Sequence, residues 1–199
     1  MKPVEQVFGQ LKALVLEPNK ASSKILVLLH GVGSNEQNLL DIAPSISEDR
    51  LIVSLRAPIT VGPEAYAWFH VRFTEQGPVH NWGEAKQNFA LLEDALLEIS
   101  NKYKIPLDHV AVFGFSQGAI MTIGLALSSN LKVESYVAAS GRTLPEFGQF
   151  SKESPFSDYS TRKIFVSHGV QDSKLPIALG RNSQDVLKNA GLNLHYKEY

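Results

Sequence analysis

The residues best suited to chemistry form the pentapeptide Gly-Phe-Ser-Gln-Gly at positions 114–118. This G-x-S-x-G pattern can place a serine on a sharp strand-to-helix turn, with its hydroxyl exposed above a sheet. Residues 110–113 are apolar and β-rich, like a buried parallel strand, and residues 119–127 are apolar nearly all round, like a buried helix. Small residues are needed at Gly114 and Gly118, because side chains there would collide where strand and helix pass. The pattern predicts a nucleophilic Ser116, and a chance match is the alternative.

A second motif, Leu-Leu-His-Gly-Val-Gly at positions 28–33, ends another predicted buried strand. Its two glycines allow the backbone to turn and present bare N–H groups. Acyl transfer needs such donors for the tetrahedral oxyanion, and losing one costs ~10²–10³ in rate. We predict that the N–H groups of Val32 and Gln117 form this oxyanion hole. A generic glycine turn is the alternative, and His30 is interpreted as a structural residue that holds the loop.

A third motif lies at positions 163–172, where a predicted strand ends in His168-Gly169 and Asp172 follows. A serine–histidine system needs a carboxylate that holds the imidazole tautomer and stabilises the imidazolium. Asp172 lies in a loop above the sheet and follows Ser116 in the chain, which is the required order. The alternative is that Asp172 caps the helix predicted to begin near Pro176. His168 is interpreted as structural.

The elements that must position these residues alternate between short apolar runs and longer helical patterns, which indicates a parallel sheet built from βαβ units. An antiparallel pair of edge strands is expected within residues 4–16, and helices are expected at 85–103 and 176–190. Residues 142–162 show no clear period, so they predict a functional or mobile loop. The strand candidates are Ile25–Leu29, Leu51–Leu55, 110–113, Ser135–Ala139, 163–167 and 192–199.

The composition narrows the class of protein. The 199 residues suit one domain with a substantial core, and a net charge of −1 gives no basic surplus for nucleic acid or an anionic membrane. Without cysteine, disulfides, zinc–thiolate sites and thiol nucleophiles are excluded. The N-terminal residues lack a signal-peptide core, and the longest apolar runs are about half of the ~18 residues that a membrane span needs. We expect a soluble, cytoplasmic protein.

Taken together, the three motifs resemble those of the phospholipase/carboxylesterase group of the α/β-hydrolase family, which includes acyl-protein thioesterases and small carboxylesterases. The resemblance also covers Arg-Ala-Pro at 56–58, Ala-Trp-Phe at 67–69 and Ser-Gly-Arg at 140–142. It implies an α/β-hydrolase fold, with a mostly parallel central sheet, helices on both faces and no large cap domain.

The resemblance also implies roles for individual residues. Ser116 would be the nucleophile and Asp172 the triad acid, with the oxyanion donors as predicted above. Trp68 and Phe69 would help to line the acyl site, although simple packing is an equal alternative for both. No metal and no cofactor are implied.

One member of the triad departs from the pattern. The order should be serine, aspartate, histidine, and only His195 follows Asp172. His195 lies inside the predicted strand 192–199, at least ~13 Å below its carboxyl end at ~3.3 Å per residue. A general base must lie within about 2.6–3.2 Å of its proton. Members of the family carry the histidine in a Gly-His turn after this strand, before a final helix. We therefore expect residues 1–199 to be a single domain that lacks this turn and helix.

The predicted function is that of a serine hydrolase that cleaves carboxylic esters of short to medium acyl chains. Lysophospholipase, acyl-protein thioesterase and perhydrolase-like activities remain alternatives at the same site. A non-catalytic ligand-binding relative is the alternative if no histidine follows Tyr199, since a rate acceleration of only ~10³–10⁴ over the reaction in water would then remain. The expected partner is a small-molecule ester or thioester, without nucleic acid or stable membrane insertion, and a homodimer is left open.

Overall fold

A mostly parallel, eight-stranded sheet forms the framework of the computed structural model, which describes residues 2–19, 21–46, 49–75, 77–148 and 159–199. The strands of the described chain are β1 Val4–Phe8, β2 Leu11–Leu16, β3 Ile25–Leu29, β4 Leu51–Leu55, β5 Ile59–Gly62, β6 Ala65–Ala67, β7 Val71–Thr74, β8 Gly77–His80, β9 Val110–Phe115, β10 Ser135–Ala139, β11 Lys163–His168 and β12 Asn193–Glu198.

The order of strands in the sheet is β1-β2-β4-β3-β9-β10-β11-β12. The pairings β1–β2 and β2–β4 are antiparallel, and those from β4 to β12 are parallel. Every residue of β3 and β4 is buried, as a central parallel strand requires. The predicted edge pair and all six predicted strands are confirmed, with bounds that differ by two residues at most. The α/β-hydrolase fold is thus the observed fold class.

Two small hairpins were not predicted from the sequence. β5 pairs with β6, and β7 pairs with β8, outside the main sheet. Their residues are mostly half-buried or exposed, so they lack the continuous apolar run by which the central strands were recognised. Both hairpins lie in the chain between β4 and the next helix, and the short segment that joins them contains Trp68 and Phe69.

The described helices are α1 Ala43–Ile46, α2 Trp82–Tyr103, α3 Gln117–Ser128 and α4 Ile177–Asn189. Helix α2 begins three residues before the predicted start, because Asn81 caps it and accepts a hydrogen bond from the N–H of Glu84. In α3 every residue from Gln117 to Leu127 is buried, which confirms the predicted core helix. Of the irregular stretch predicted at 142–162, residues 149–158 lie outside the described part of the chain.

Apolar side chains cover both faces of the sheet. The larger cluster packs α2 and α3 against alternate strand residues such as Val27 and Val112. A smaller cluster on the opposite face joins Leu28 and Ile52 to Leu39 and Ala43. Strand β9 lies near the middle of the sheet, and the turn between β9 and α3 carries Ser116.

Candidate active site

Ser116 occupies the turn between β9 and α3 in a strained backbone conformation, with φ of 53° and ψ of −113°. A positive φ is uncommon for a residue with a side chain and costs of order 1–3 kcal/mol. The neighbouring strand β10 holds this turn, since the N–H of Ser116 donates to the carbonyl of Ala139 at 2.9 Å. This is the geometry expected of an exposed serine nucleophile between strand and helix.

The two glycines of the motif are required by close packing. A Cβ on Gly114 would lie 2.2 Å from the carbonyl oxygen of Gly118, and one on Gly118 would lie 2.0 Å from that of Leu29. Gly31 lets the loop after β3 approach Ser116, because a Cβ there would lie 3.2 Å from that of Ser116. The sequence interpretation of Gly114 and Gly118 is thereby supported.

His30 holds the loop that carries Val32. Its Nε2 lies 3.1 Å from the backbone nitrogen of Ala57, and its Nδ1 lies 2.8 Å from the carbonyl oxygen of Gly31. Because the N–H of Ala57 must donate, Nε2 accepts and the ring proton resides on Nδ1. Burial lowers the pKa of His30, which favours this neutral ring. The residue is structural, as its position in the sequence indicated.

An ion pair fixes the same loop further along. The guanidinium of Arg56 contacts the carboxylate of Glu36 through two hydrogen bonds and lies 4.5 Å above the ring of Tyr66. The N–H of Gly33 donates to the carbonyl of Tyr66 at 2.9 Å. The Arg-Ala-Pro segment thus holds the loop that carries Val32 through Arg56 and Ala57.

Gln117 connects α3 to the segment between the hairpins. Its Oε1 accepts from the N–H of Trp68 at 2.8 Å, and its Nε2 donates to the carbonyl of Phe69 at 2.6 Å. As the first residue of α3, Gln117 also has a backbone N–H with no carbonyl four residues back in the helix.

A cavity of about 290 Å³ opens above Ser116. Val32, Gln117 and Phe69 line it, so the structure brings these predicted residues together with the serine. The other apolar lining residues are Val71, Pro78, Ile120 and Leu175.

Trp68 does not line this cavity, which corrects the expectation that it helps to line the acyl site. It is fully buried, and its indole N–H donates to the carbonyl of His30 at 2.9 Å. An indole can be buried at little cost when its N–H is paired in this way. Trp68 therefore supports the wall of the site from behind, and Phe69 faces the cavity.

Two cationic residues of the lining, Arg142 and Lys174, were not predicted as site residues. Arg142 is only 7% exposed, and burial lowers the pKa of its guanidinium. The Ser-Gly-Arg segment had contributed to the resemblance, but the sequence carries no signal that the arginine is buried beside Ser116.

Asp172 lies in the loop after β11, and it closes a turn. Its Oδ1 accepts from the N–H groups of Lys174 and Leu175 at 2.9 Å each, and its Oδ2 lies 3.8 Å from Nε2 of His168. This turn precedes α4, whose N-cap residue is Pro176. The buried His168 ring bonds the carbonyl of Leu175 at 2.7 Å and so holds the same turn from below.

None of the six histidines, all of which the structure describes, lines the cavity. His195 pairs with Phe165 in the sheet and stacks on its ring at 5.3 Å, three residues before the end of β11. This geometry agrees with the sequence argument that His195 lies too far below the carboxyl end.

Within the described ranges, no three His, Asp or Glu side chains are grouped so that they could hold a metal ion. In the same ranges no helix combines the length and the apolar character needed to cross a membrane.

Comparison with known proteins assigns the family. A model of the phospholipase/carboxylesterase family matches residues 11–199. Acyl-protein thioesterase 1 of Candida albicans is 27% identical over 95% of this chain and 88% of its own length. The esterase YpfH of Escherichia coli is also 27% identical, over 89% of this chain and 74% of its own length.

A solved structure shows the same fold. The carboxylesterase from Mesorhizobium loti superposes with a TM-score of 0.84 at 19% identity, over 99% of this chain and 89% of the other. The match of the family model, which spans nearly the whole chain, is the stronger finding. The chain therefore belongs to the phospholipase/carboxylesterase family of α/β-hydrolases, and its reaction class is that of an esterase or thioesterase.

Proposed function

We propose that the chain hydrolyses carboxylic esters of short to medium acyl length through an acyl-enzyme on Ser116. The observation that carries the proposal is the strained Ser116, which faces a largely apolar cavity together with Val32 and Gln117. Ser116 Oγ attacks the ester carbonyl, and the alcohol leaves as the tetrahedral intermediate collapses. Water then attacks the acyl-enzyme and releases the acid.

The oxyanion would be stabilised by the N–H groups of Val32 and Gln117. The close approach of Gly31 to Ser116 supports this role, because it brings the loop next to the nucleophile. The bonds of His30 and Arg56 hold the loop before substrate binds, and such preorganised donors stabilise charge as it develops.

The acid of the triad would be Asp172. Its Oδ1 is fixed by two N–H groups, which leaves Oδ2 to orient an imidazole. The general base would be a group other than the six histidines of residues 1–199, since none of them lines the cavity.

The volume of the cavity supports short to medium esters. The cavity of about 290 Å³ is several times the ~30 Å³ that one water molecule takes in the liquid, so a short to medium acyl group fits in it. A long fatty acyl chain would extend outside it. The relatives named acyl-protein thioesterase support a thioester as the second candidate, because the same serine and donors serve both carbonyls. A cytoplasmic location remains a prediction from the sequence.

The test is a series of 4-nitrophenyl esters from acetate to palmitate, assayed with the wild-type chain and with Ser116→Ala. We expect kcat/KM to peak at or below about eight carbons, and a peak at palmitate would contradict the cavity argument. Added imidazole should raise the Ser116-dependent rate of residues 1–199. Binding without Ser116-dependent turnover under either condition would favour a ligand-binding protein.

A further inference from the structure

The guanidinium of Arg142 lacks a full set of partners within the described chain. Its Nε is buried without a hydrogen-bond partner. One terminal nitrogen makes two long contacts, 3.4 Å to the carbonyl of Pro78 and 3.5 Å to Nδ1 of His80. A buried charge without good partners is costly, so such an arrangement in a native protein calls for a ligand or another explanation.

The nearest acid does not neutralise Arg142 directly. Glu146 bonds Nε2 of His80 at 3.0 Å, so the imidazole lies between carboxylate and guanidinium. No ion pair of the described residues includes Arg142, and the cavity lining contains Arg142 and Lys174 but no carboxylate. The lining is therefore cationic at one side and apolar elsewhere.

The backbone around Arg142 is held rigidly. A Cβ on Gly141 would lie 2.6 Å from that of Ala119 in α3, and the N–H of Thr143 donates to Oγ of Ser183 in α4 at 2.7 Å. The backbone at Arg142 is therefore fixed between two helices. A guanidinium fork matches a carboxylate through two parallel hydrogen bonds.

We propose that Arg142 binds a carboxylate on the substrate, so that the cavity selects esters that carry a negative charge, such as monoesters of short dicarboxylic acids. The terminal N–H groups of Arg142, which lines the cavity, would donate to the two carboxylate oxygens, with Lys174 adding positive charge at the rim. A glutaryl group is a short acyl chain, of the size that a cavity of about 290 Å³ admits. The inference rests on the proposed function for the position of the ester, but the carboxylate site can be tested by binding alone.

The binding experiment compares glutarate with glutaramide by calorimetry on the whole chain. Glutarate should bind at least about tenfold more tightly, because a charge-assisted bidentate contact is strong. Arg142→Gln should abolish this preference, and Arg142→Lys, which keeps the charge and loses the fork, should retain part of it. Arg181→Gln is the matched control, since Arg181 is exposed and pairs with Glu198 outside the cavity. Equal binding of the two compounds by the wild-type chain would overturn the proposal, whether or not the variants fold.

The kinetic experiment locates the charge. We compare 4-nitrophenyl hydrogen glutarate with 4-nitrophenyl butyrate, and the butyrate ester of 4-hydroxybenzoate with that of phenol. The first pair carries the carboxylate in the acyl part, and the second carries it in the alcohol. For each pair we take the ratio of kcat/KM for the charged ester to that for the neutral ester. At least one of the two ratios should fall about tenfold or more in Arg142→Gln and stay unchanged in Arg181→Gln. If neither ratio depends on Arg142, the proposal is overturned. If glutarate binding depends on Arg142 but no ester is turned over, the carboxylate site stands and the proposed hydrolase mechanism fails.

Discussion

The side chain of Gln117 bonds the backbone of Trp68, with 2.8 Å between Oε1 and the amide nitrogen. The residue that follows Ser116 is thereby tied to the segment that forms one wall of the cavity. The same side chain donates to the carbonyl of Phe69, so one amide satisfies two buried backbone groups.

Replacing Gln117 should destabilise the fold and widen the cavity. In Gln117→Ala both backbone groups lose their partner, and each unpaired buried group costs ~1–3 kcal/mol. We expect the free energy of unfolding to fall by about 2–5 kcal/mol in urea denaturation. Gln117→Glu buries a carboxylate against the carbonyl of Phe69, so its loss should be at least as large at neutral pH. An unchanged stability in Gln117→Ala would refute the role of this side chain.

The packing of the turn makes a separate prediction. In Gly118→Ala the new methyl would overlap the carbonyl of Leu29, which belongs to the backbone of a central strand and cannot easily move. We expect a loss of about 3 kcal/mol or more in the free energy of unfolding. Gly169→Ala is the control, since a Cβ there has no atom within 4 Å, and it should change stability by less than about 1 kcal/mol. Similar losses in both variants would show that the close approach is not what requires a glycine.

The buried ring of His30 predicts a pH dependence. Its pKa in the folded state lies below the ordinary 6.5, mainly because of burial, so the unfolded chain binds a proton that the folded chain does not. The stability from the neutral ring is therefore complete above pH 6.5 and is lost as the pH falls below it. Protonated His30 can no longer accept a hydrogen bond from the N–H of Ala57, so the loss should also loosen the loop that carries Val32.

Thermal unfolding of the wild-type chain and of His30→Gln between pH 8 and pH 5 measures this effect. The difference in Tm between the wild-type chain and His30→Gln should become smaller as the pH falls, because glutamine does not titrate. A difference that stays constant across the range would contradict a neutral, buried His30.

Asp172→Asn separates the two roles considered for Asp172. Asparagine keeps an oxygen for the N–H groups of Lys174 and Leu175 and removes the charge that an imidazolium needs. With a catalytic imidazole in place, kcat/KM should fall ~10³–10⁴-fold, while the melting temperature changes little. An active Asp172→Asn would mean that Asp172 only closes the turn, and Asp172→Ala, which removes the cap, should destabilise in either case.

The sequence was informative where local pattern and core packing agree. The central strands β3, β4 and β9 have long buried runs. The turn at Ser116 is marked in the sequence by glycines that packing requires. The hairpins β5–β6 and β7–β8 are short and half-exposed, so no periodicity revealed them. The orientation of Trp68 depends on a hydrogen bond to His30, 38 residues away, and the burial of Arg142 depends on contacts with two helices. Such long-range contacts leave no local pattern in one sequence.

The central claim, that Ser116 is the nucleophile, is tested most directly by mass spectrometry of the chain after reaction with a fluorophosphonate and with 4-nitrophenyl butyrate. We predict one covalent adduct per chain on the peptide that contains Ser116, and no adduct in Ser116→Ala. Hydrolysis of the butyrate ester above background should be lost in the same variant. An adduct on another residue, or equal adduct formation and hydrolysis by the wild-type chain and Ser116→Ala, would contradict the account.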